Sequence, residues 1–350
     1  MKIREIYNLQ IIRGIAALLV VFEHLLPEKI SKFVPQGQIG VSMFFFISGF
    51  VMVYSFKEKE SGLLFLFKRI DRIYPAYLIL SLPLIVCFSW DTGSLVYLIH
   101  SISLIAYSSW IPYSSEYNFV QRATSSPVAW TLYYEMFFYF VFSISKLISL
   151  KRGSVVFLTS LIIISILFLF NFRYGNNGLL GWSNVSYIHI LSNLSLLSFV
   201  AGMIFPFIGL NENLKKIPLW VFLIPVLSWF MIKFSGKYMS DCFHNQQVND
   251  LLFSSIPSWI FVSILINGEK INGFVAKKLH FIGMISFSLY LFHANFYVLK
   301  LHLSLSDMPM MYQLFYFFLS FLISLYVAYF SFKYIESIRP LRSVFLQEKK

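Results

Sequence analysis

The sequence predicts an all-α integral membrane protein of about ten transmembrane helices, both termini cytoplasmic, with one long outer loop carrying a candidate re-entrant helix. Three observations predict it. Of 350 residues, 58% are hydrophobic, 19% aromatic and only 13% charged, far more apolar surface than a soluble domain of that size needs. Ten apolar stretches approach the ~20 residues that cross a bilayer. The basic residues gather at alternate ends of those stretches, as they do on cytoplasmic loops.

The stretches lie near 9–26, 38–56, 74–90, 127–146, 154–171, 186–208, 217–233, 251–267, 281–300 and 311–332. The run 95–110 is short, rich in serine and contains His100, so it reads as a re-entrant or surface helix. With the N-terminus inside, twenty Lys and Arg fall in inner segments and seven in outer ones. An eleventh span at Leu95 would reverse every later loop and put Lys151-Arg152 and Lys277-Lys278 outside. The net charge of +12 therefore reads as cytoplasmic loops rather than a nucleic-acid surface. Cys87 lies in an apolar segment and Cys242 in a loop, so no disulfide framework is expected. There is no zinc-ligand spacing, phosphate loop or short repeat. The first stretch is too long, and too charged, for a cleaved signal peptide. A single domain is expected over 1–350, with a membrane bundle over 9–332 and a cytoplasmic tail over 333–350.

The first stretch carries Arg13 near one end and Glu23-His24 near the other. Ionisable groups in a span are costly and tend to face the bundle interior or a wet path. Arg13 and His24 are eleven apart, which puts them on one helix face roughly 16 Å apart along the axis. Arg13 could instead snorkel to the interface, and His24 could be a packing residue; the shared face favours function. In the second stretch, Gly37, Gly40 and Gly49 allow close approach of a neighbouring helix or of a ligand. Between Lys57 and Tyr74, Arg69 and Arg72 would share a helix face. Their forks suit a phosphate, although ordinary positive-inside charge explains them too.

The outer region 91–127 is rich in Ser, Tyr and Trp, with Trp90 at its rim and Trp110, Tyr113 and Tyr117 within. These rings could form an aromatic belt or stack on sugars. The fourth stretch opens Trp130-Thr131-Leu132-Tyr133-Tyr134-Glu135. Glu135 lies deep in a span, at a depth comparable to His24, and needs a partner or a proton; His24 and Arg13 are the candidates. The middle helices read as packing and lipid-facing material, with His189 and Asn193 on one face for interhelical bonding. Tyr290 and His293 share a face of the ninth stretch.

In this order the pieces resemble the membrane acyltransferase-3 family. The carrying residues are Arg13-Gly14-Ile15-Ala16-Ala17 with His24, then Gly37, Gly40-Val41 and Phe45-Phe46-Ile47-Ser48-Gly49-Phe50. Next come Arg69-x-x-Arg72 with Pro75 and Tyr77, Trp130-Thr131-Leu132 with Glu135, and Ser286, Tyr290-Leu291 and His293. The chain departs from the family's pattern at Phe287, where tyrosine is common, and after Glu336, where a short Glu-x-Pro is usual. The resemblance implies a multi-pass protein of the bacterial cytoplasmic membrane. Its implied partners are the lipid bilayer, an acyl-CoA donor, usually acetyl-CoA, and a carbohydrate hydroxyl as acceptor. It implies that Arg13 and His24 are essential. Some relatives carry a further esterase-like domain; the short stretch after 332 leaves no room for one.

Residues and resemblance together give a mechanism to test. Arg13, Ser48, Arg69 and Arg72 would hold the donor. His24 would act as general base on the acceptor hydroxyl, with Glu135 orienting its imidazole as a carboxylate does in hydrolase triads. Trp130, Tyr133, Tyr290 and His293 would contact the acceptor. Ser48, Tyr290 and Trp130 are alternatives for donation to the oxyanion. No metal, permanently bound cofactor or nucleic acid is implied. The acyl group, acetyl, succinyl or another, stays open, as does the glycan. A transporter of a lipid-linked sugar or anionic solute is the rival, since such polar residues suit it too; inverted repeats, its usual mark, are missing.

Overall fold

The computed structural model describes residues 6–92, 95–104, 126–174, 187–209, 216–238 and 246–336. Apart from loops, turns and one isolated bridge residue, these are helical, as a lipid environment demands of backbone groups that find no water. Helices α1 (Tyr7–Leu25), α2 (Glu28–Ser31), α3 (Gly37–Tyr54), α4 (Gly62–Thr92) and α5 (Leu95–Ser103) come first. They are followed by α6 (Trp130–Ile148), α7 (Arg152–Tyr174), α8 (Tyr187–Ser192), α9 (Leu196–Ile208) and α10 (Ile224–Tyr238). The last are α11 (Gln246–Asp250), α12 (Ile256–Ile266), α13 (Phe274–Met284), α14 (Ser286–His302) and α15 (Met310–Ser331).

Among the described residues, six helical runs are long and apolar enough to cross a membrane, and α13 with α14, bent by 75°, makes a seventh candidate. Leu196–Ile208 and Leu219–Lys233 are apolar but shorter. A helix occupies each of the ten apolar stretches, yet three departures from simple rods matter. The helix of the third stretch, α4, starts at Gly62, well before the expected Tyr74, so Arg69 and Arg72 ride inside a 31-residue helix. Its charges find partners in the protein: Lys68 pairs with Glu60 at 2.6 Å. The sixth stretch breaks between α8 and α9, where Asn193 Oδ1 accepts from the Ser195 amide at 2.8 Å. The ninth breaks at Ile285. The aromatics Trp110, Tyr113 and Tyr117, Cys242 and the tail after Glu336 lie outside the described residues, as do the side chains of Trp90, His100 and His189.

Lys146 is a further correction. Counted as an inner-loop charge, it is instead buried on α6, 3.0 Å from the Lys57 carbonyl oxygen, 3.6 Å from Glu60 and 4.2 Å over the Phe56 ring. It ties the chain after α3 to α6.

The bundle is built outward from α1 and α3. In α3, 72% of the apolar window is buried inside the protein, against 28% for the run Met310–Glu336, whose outer face is left for lipid. Helix α1 packs against α3, α13 and α14, and α3 against α9. Two of these crossings are reciprocal glycine contacts. A side chain on Gly14 would strike the Leu279 carbonyl, and one on Gly283 would strike that of Gln10. Likewise Gly49 faces the Phe199 carbonyl and Gly202 that of Phe46. Small residues let helix backbones touch where no hydrophobic effect drives them together. The glycines of α3 that could have served packing or a ligand serve packing: Gly40 lies on the Ala16 backbone. At Gly37, the start of α3, the amide donates to Glu23 Oε2 at 2.8 Å.

Gly202→Leu and Gly283→Leu should therefore each cost more than the ~1–3 kcal/mol of ordinary overpacking, because backbone rather than a side chain must give way. Gly153→Ala, with nothing near it, should be neutral or slightly stabilising. Thermal unfolding in detergent checks this; equal stability of all three variants would remove the glycine crossings from the account.

Candidate active site

One cavity of about 1100 Å³ opens between the start of α1, the Val41–Val51 stretch of α3, the first half of α4, the first half of α6 and the turn that follows α15. The break at Ile285 turns Met284, Ser286 and Phe287 onto its wall. The π-helical turn Phe332–Glu336 that follows α15 adds Phe332, Lys333 and Glu336. Arg13, Ser48, Arg69, Arg72, Glu135 and Tyr290 all line it. Six residues singled out in the sequence, from five helices, thus share one chamber.

The charges are arranged in two groups. Arg13, Arg69, Arg72 and Lys333 face only two carboxylates, Glu135 and Glu336. Arg69 lies 5.0 Å over the Phe65 ring and 5.5 Å over that of Tyr139, a desolvated cation–π arrangement that fixes its plane. Arg13 Nη1 donates to Gln10 Oε1 at 3.3 Å. Glu135 accepts from Ser48 Oγ at 3.1 Å and from the hydroxyl of Tyr139, one turn along α6. Glu336 accepts from Ser288 Oγ at 2.5 Å. The hydroxyls hold both carboxylates in place, and no salt bridge joins either to an arginine among the described residues. Among the described residues the Arg69 and Arg72 forks have no ion pair, which leaves them available to an anion.

Glu135 therefore does not orient His24. That histidine is at the other end of α1, where its Nδ1 lies 3.0 Å from His293 Nε2. Its ring also stacks on Tyr297 at 4.5 Å. His293 is fully buried, and its Nδ1 is 3.1 Å from the Leu289 carbonyl oxygen. Neither histidine lines the cavity. What joins the two ends is a run of rings. Phe44 and Tyr290 line the chamber and meet edge to face at 5.9 Å; Tyr290 lies 5.8 Å from His293, and His293 5.3 Å from His24. Trp130 and Tyr133 sit outside the chamber wall, Tyr133 buried in the core and Trp130 edge-on to Tyr134.

Sequence reasoning left out Tyr139, Gln10, Lys333 and Glu336 as site residues. Tyr139 had a signal: four residues after Glu135, it shares that residue's helix face.

A family model described as an acyltransferase domain matches residues 6–329, nearly the whole chain. The chain belongs to the acyltransferase-3 family. No curated protein and no solved structure matches it. Membership makes this a membrane-embedded enzyme that transfers acyl groups. Of the three oxyanion donors considered for the acyltransferase, two are committed elsewhere. Ser48 donates to Glu135, and the Tyr290 hydroxyl bonds Thr131 Oγ1 at 2.9 Å and the Val128 carbonyl at 3.1 Å.

Tyr290→Phe should accordingly lower the transfer rate only a few-fold, because the ring keeps its place and Thr131 still donates to the Val128 carbonyl. Loss of an oxyanion donor costs about 10²–10³-fold. A rate drop of that size in single-turnover acetyl transfer would mean the hydroxyl swings to the substrate.

Proposed function

We propose that this chain is an acyl-CoA-dependent O-acyltransferase. It transfers a short acyl group, acetyl in the first instance, to a hydroxyl of a carbohydrate presented at the outer face of the bacterial cytoplasmic membrane. The acceptor class would be a surface polysaccharide or its lipid-linked precursor. The observation that carries this reading is the pairing of an arginine chamber and a histidine on opposite ends of one helix, roughly 16 Å apart. Acyl-CoA is a cytoplasmic anion with several phosphates. Arg69 and Arg72, three apart on α4, and Arg13 give forks for those phosphates, and the chamber exceeds the ~300–1,000 Å³ of a drug-sized site. In this reading the thin pantetheine arm carries the thioester from the chamber past Phe44 and Tyr290 toward His24.

In this reading the bundle spans ten times with both termini inside, so the chamber faces the cytoplasm and His24 the outer side. A carbohydrate hydroxyl arriving there loses its proton to His24 as its oxygen attacks the thioester carbonyl. General-base help of this kind contributes about 10²–10⁴-fold. Glu135 is assigned to the donor end. It offsets part of the arginine charge and holds Ser48 and Tyr139, which keeps the chamber open before the phosphates arrive. No bound metal or resident cofactor enters the reaction.

The test pairs two variants of purified protein. Arg69→Ala/Arg72→Ala should lose affinity for acetyl-CoA, with lysine at either position restoring only part of it. His24→Gln should bind acetyl-CoA normally and transfer nothing. Labelled acetyl-CoA binding and single-turnover transfer to envelope glycan read the two separately. Unchanged donor affinity in the double variant, or full transfer by His24→Gln, would reject the respective assignment.

A further inference from the structure

The hydrogen bonds of the two histidines fix where their protons sit. His293 Nδ1 lies against the Leu289 carbonyl oxygen at 3.1 Å. A carbonyl only accepts, so Nδ1 carries the hydrogen. In the neutral ring the other nitrogen, Nε2, is then a bare acceptor. It lies 3.0 Å from His24 Nδ1, so His24 Nδ1 must be the donor. His24 Nε2 is left as the basic nitrogen, and among the described residues it has no hydrogen-bond partner.

We propose that His293 is a positioning residue: it holds His24 in the Nδ1–H tautomer and turns the basic Nε2 toward the acceptor hydroxyl. A histidine thus does what a carboxylate does in hydrolase triads. The inference rests on the reading of His24 as general base and names the group that makes it one.

The surroundings suit a neutral partner. His293 is fully buried, and a lone carboxylate there would cost far more to bury than an imidazole with both nitrogens bonded. Two groups hold the His24 end of α1 in place. Lys300 Nζ of α14 donates to the His24 and Leu26 carbonyls at 2.9 and 2.7 Å. Tyr297 stacks on the His24 ring. Glu23, next to His24, is turned away to the Gly37 amide. Neither of these charged groups bonds the imidazole nitrogens.

The transfer step closes on this arrangement. The acceptor hydroxyl proton moves to His24 Nε2 while the hydroxyl oxygen bonds the thioester carbonyl carbon. The imidazolium charge is shared with His293 through the Nδ1–H···Nε2 bond. The tetrahedral centre collapses, the carbon–sulfur bond breaks, and the coenzyme A sulfur leaves with the proton from His24 Nε2. His24 returns to its starting tautomer, and no co-reactant is consumed.

The tautomer can be read without turnover. In full-length protein labelled with 15N-histidine in lipid bilayers, the His24 signals are assigned by their loss in His24→Gln. The proposal expects Nδ1 protonated and Nε2 bare in the wild type, and a tautomer mixture in His293→Leu. Coenzyme A release from acetyl-CoA, with envelope glycan as acceptor, should show kcat of His293→Leu reduced about 10²-fold or more at unchanged KM for acetyl-CoA. His293→Gln, whose Oε1 can accept from His24 Nδ1–H, should recover most of that loss; a merely structural role would not distinguish the two variants this way. A wild-type His24 protonated on Nε2 overturns the proposal, as does a wild-type kcat in His293→Leu. Failure of the general-base reading would show differently, as full activity in His24→Gln while the wild-type His24 is still protonated on Nδ1.

Discussion

A guanidinium inside a bilayer has to keep water or an anion beside it, and much of this structure follows from meeting that condition for Arg13. An uncompensated charge at membrane depth costs several kcal/mol by any scale. The bundle answers by leaving a chamber. Helix α4 carries Arg69 and Arg72 into it, α6 supplies Glu135, and the π turn after α15 supplies Glu336. Helices α13 and α14 meet at 75° instead of running on as one rod, and the break puts Met284, Ser286 and Phe287 on the chamber wall. The polar groups are thereby hydrated or available to an anionic ligand, and the excess of cations over carboxylates selects for the anion.

The opposite end of α1 obeys a different rule. Near His24 the polar groups are few, and each is matched: Glu23 to the start of α3, Lys300 to the last carbonyls of α1, His24 to His293. Both ends are referred to the same rigid elements. Helix α1 carries Arg13 and His24, while α14 carries Tyr290 and His293. The glycine crossings lock α1 to α13 and α3 to α9 by backbone contact, which leaves little freedom for sliding. Separation of the two ends is therefore a fixed property of the fold.

Much of this was legible in the sequence, because bilayers impose simple patterns. Each apolar stretch holds a helix; Arg13, Ser48, Glu135 and Tyr290 converge on the chamber, and His24 and His293 on each other. Breaks were harder to read. Pro75 and Pro83 lie inside the unbroken α4, whereas the breaks at Asn193 and Ile285 come with no proline. Asn295 of α14 donates to the Leu80 carbonyl of α4 at 3.0 Å, a contact from a distant segment. The charges between Lys57 and Arg72 read as an inner segment before the third span, with Arg69 and Arg72 on one helix face; a single sequence does not reveal that this helix runs on without a break into the span. The pairing of His24 with His293, 269 residues apart, has no local signature at all. Glu135 reads as a carboxylate inside a span in need of a partner, but the partners it has, Ser48 and Tyr139, were not among the candidates weighed.

The claim on which everything else depends is that the arginine chamber holds the acyl donor with its thioester directed at His24. Cryo-electron microscopy of the His24→Gln variant with acetyl-CoA tests it most directly. The account predicts density for the coenzyme in the chamber, its phosphates at Arg69 and Arg72, and its acetyl end past Phe44 and Tyr290 beside position 24. Coenzyme bound elsewhere on the protein, with the chamber empty, would contradict it.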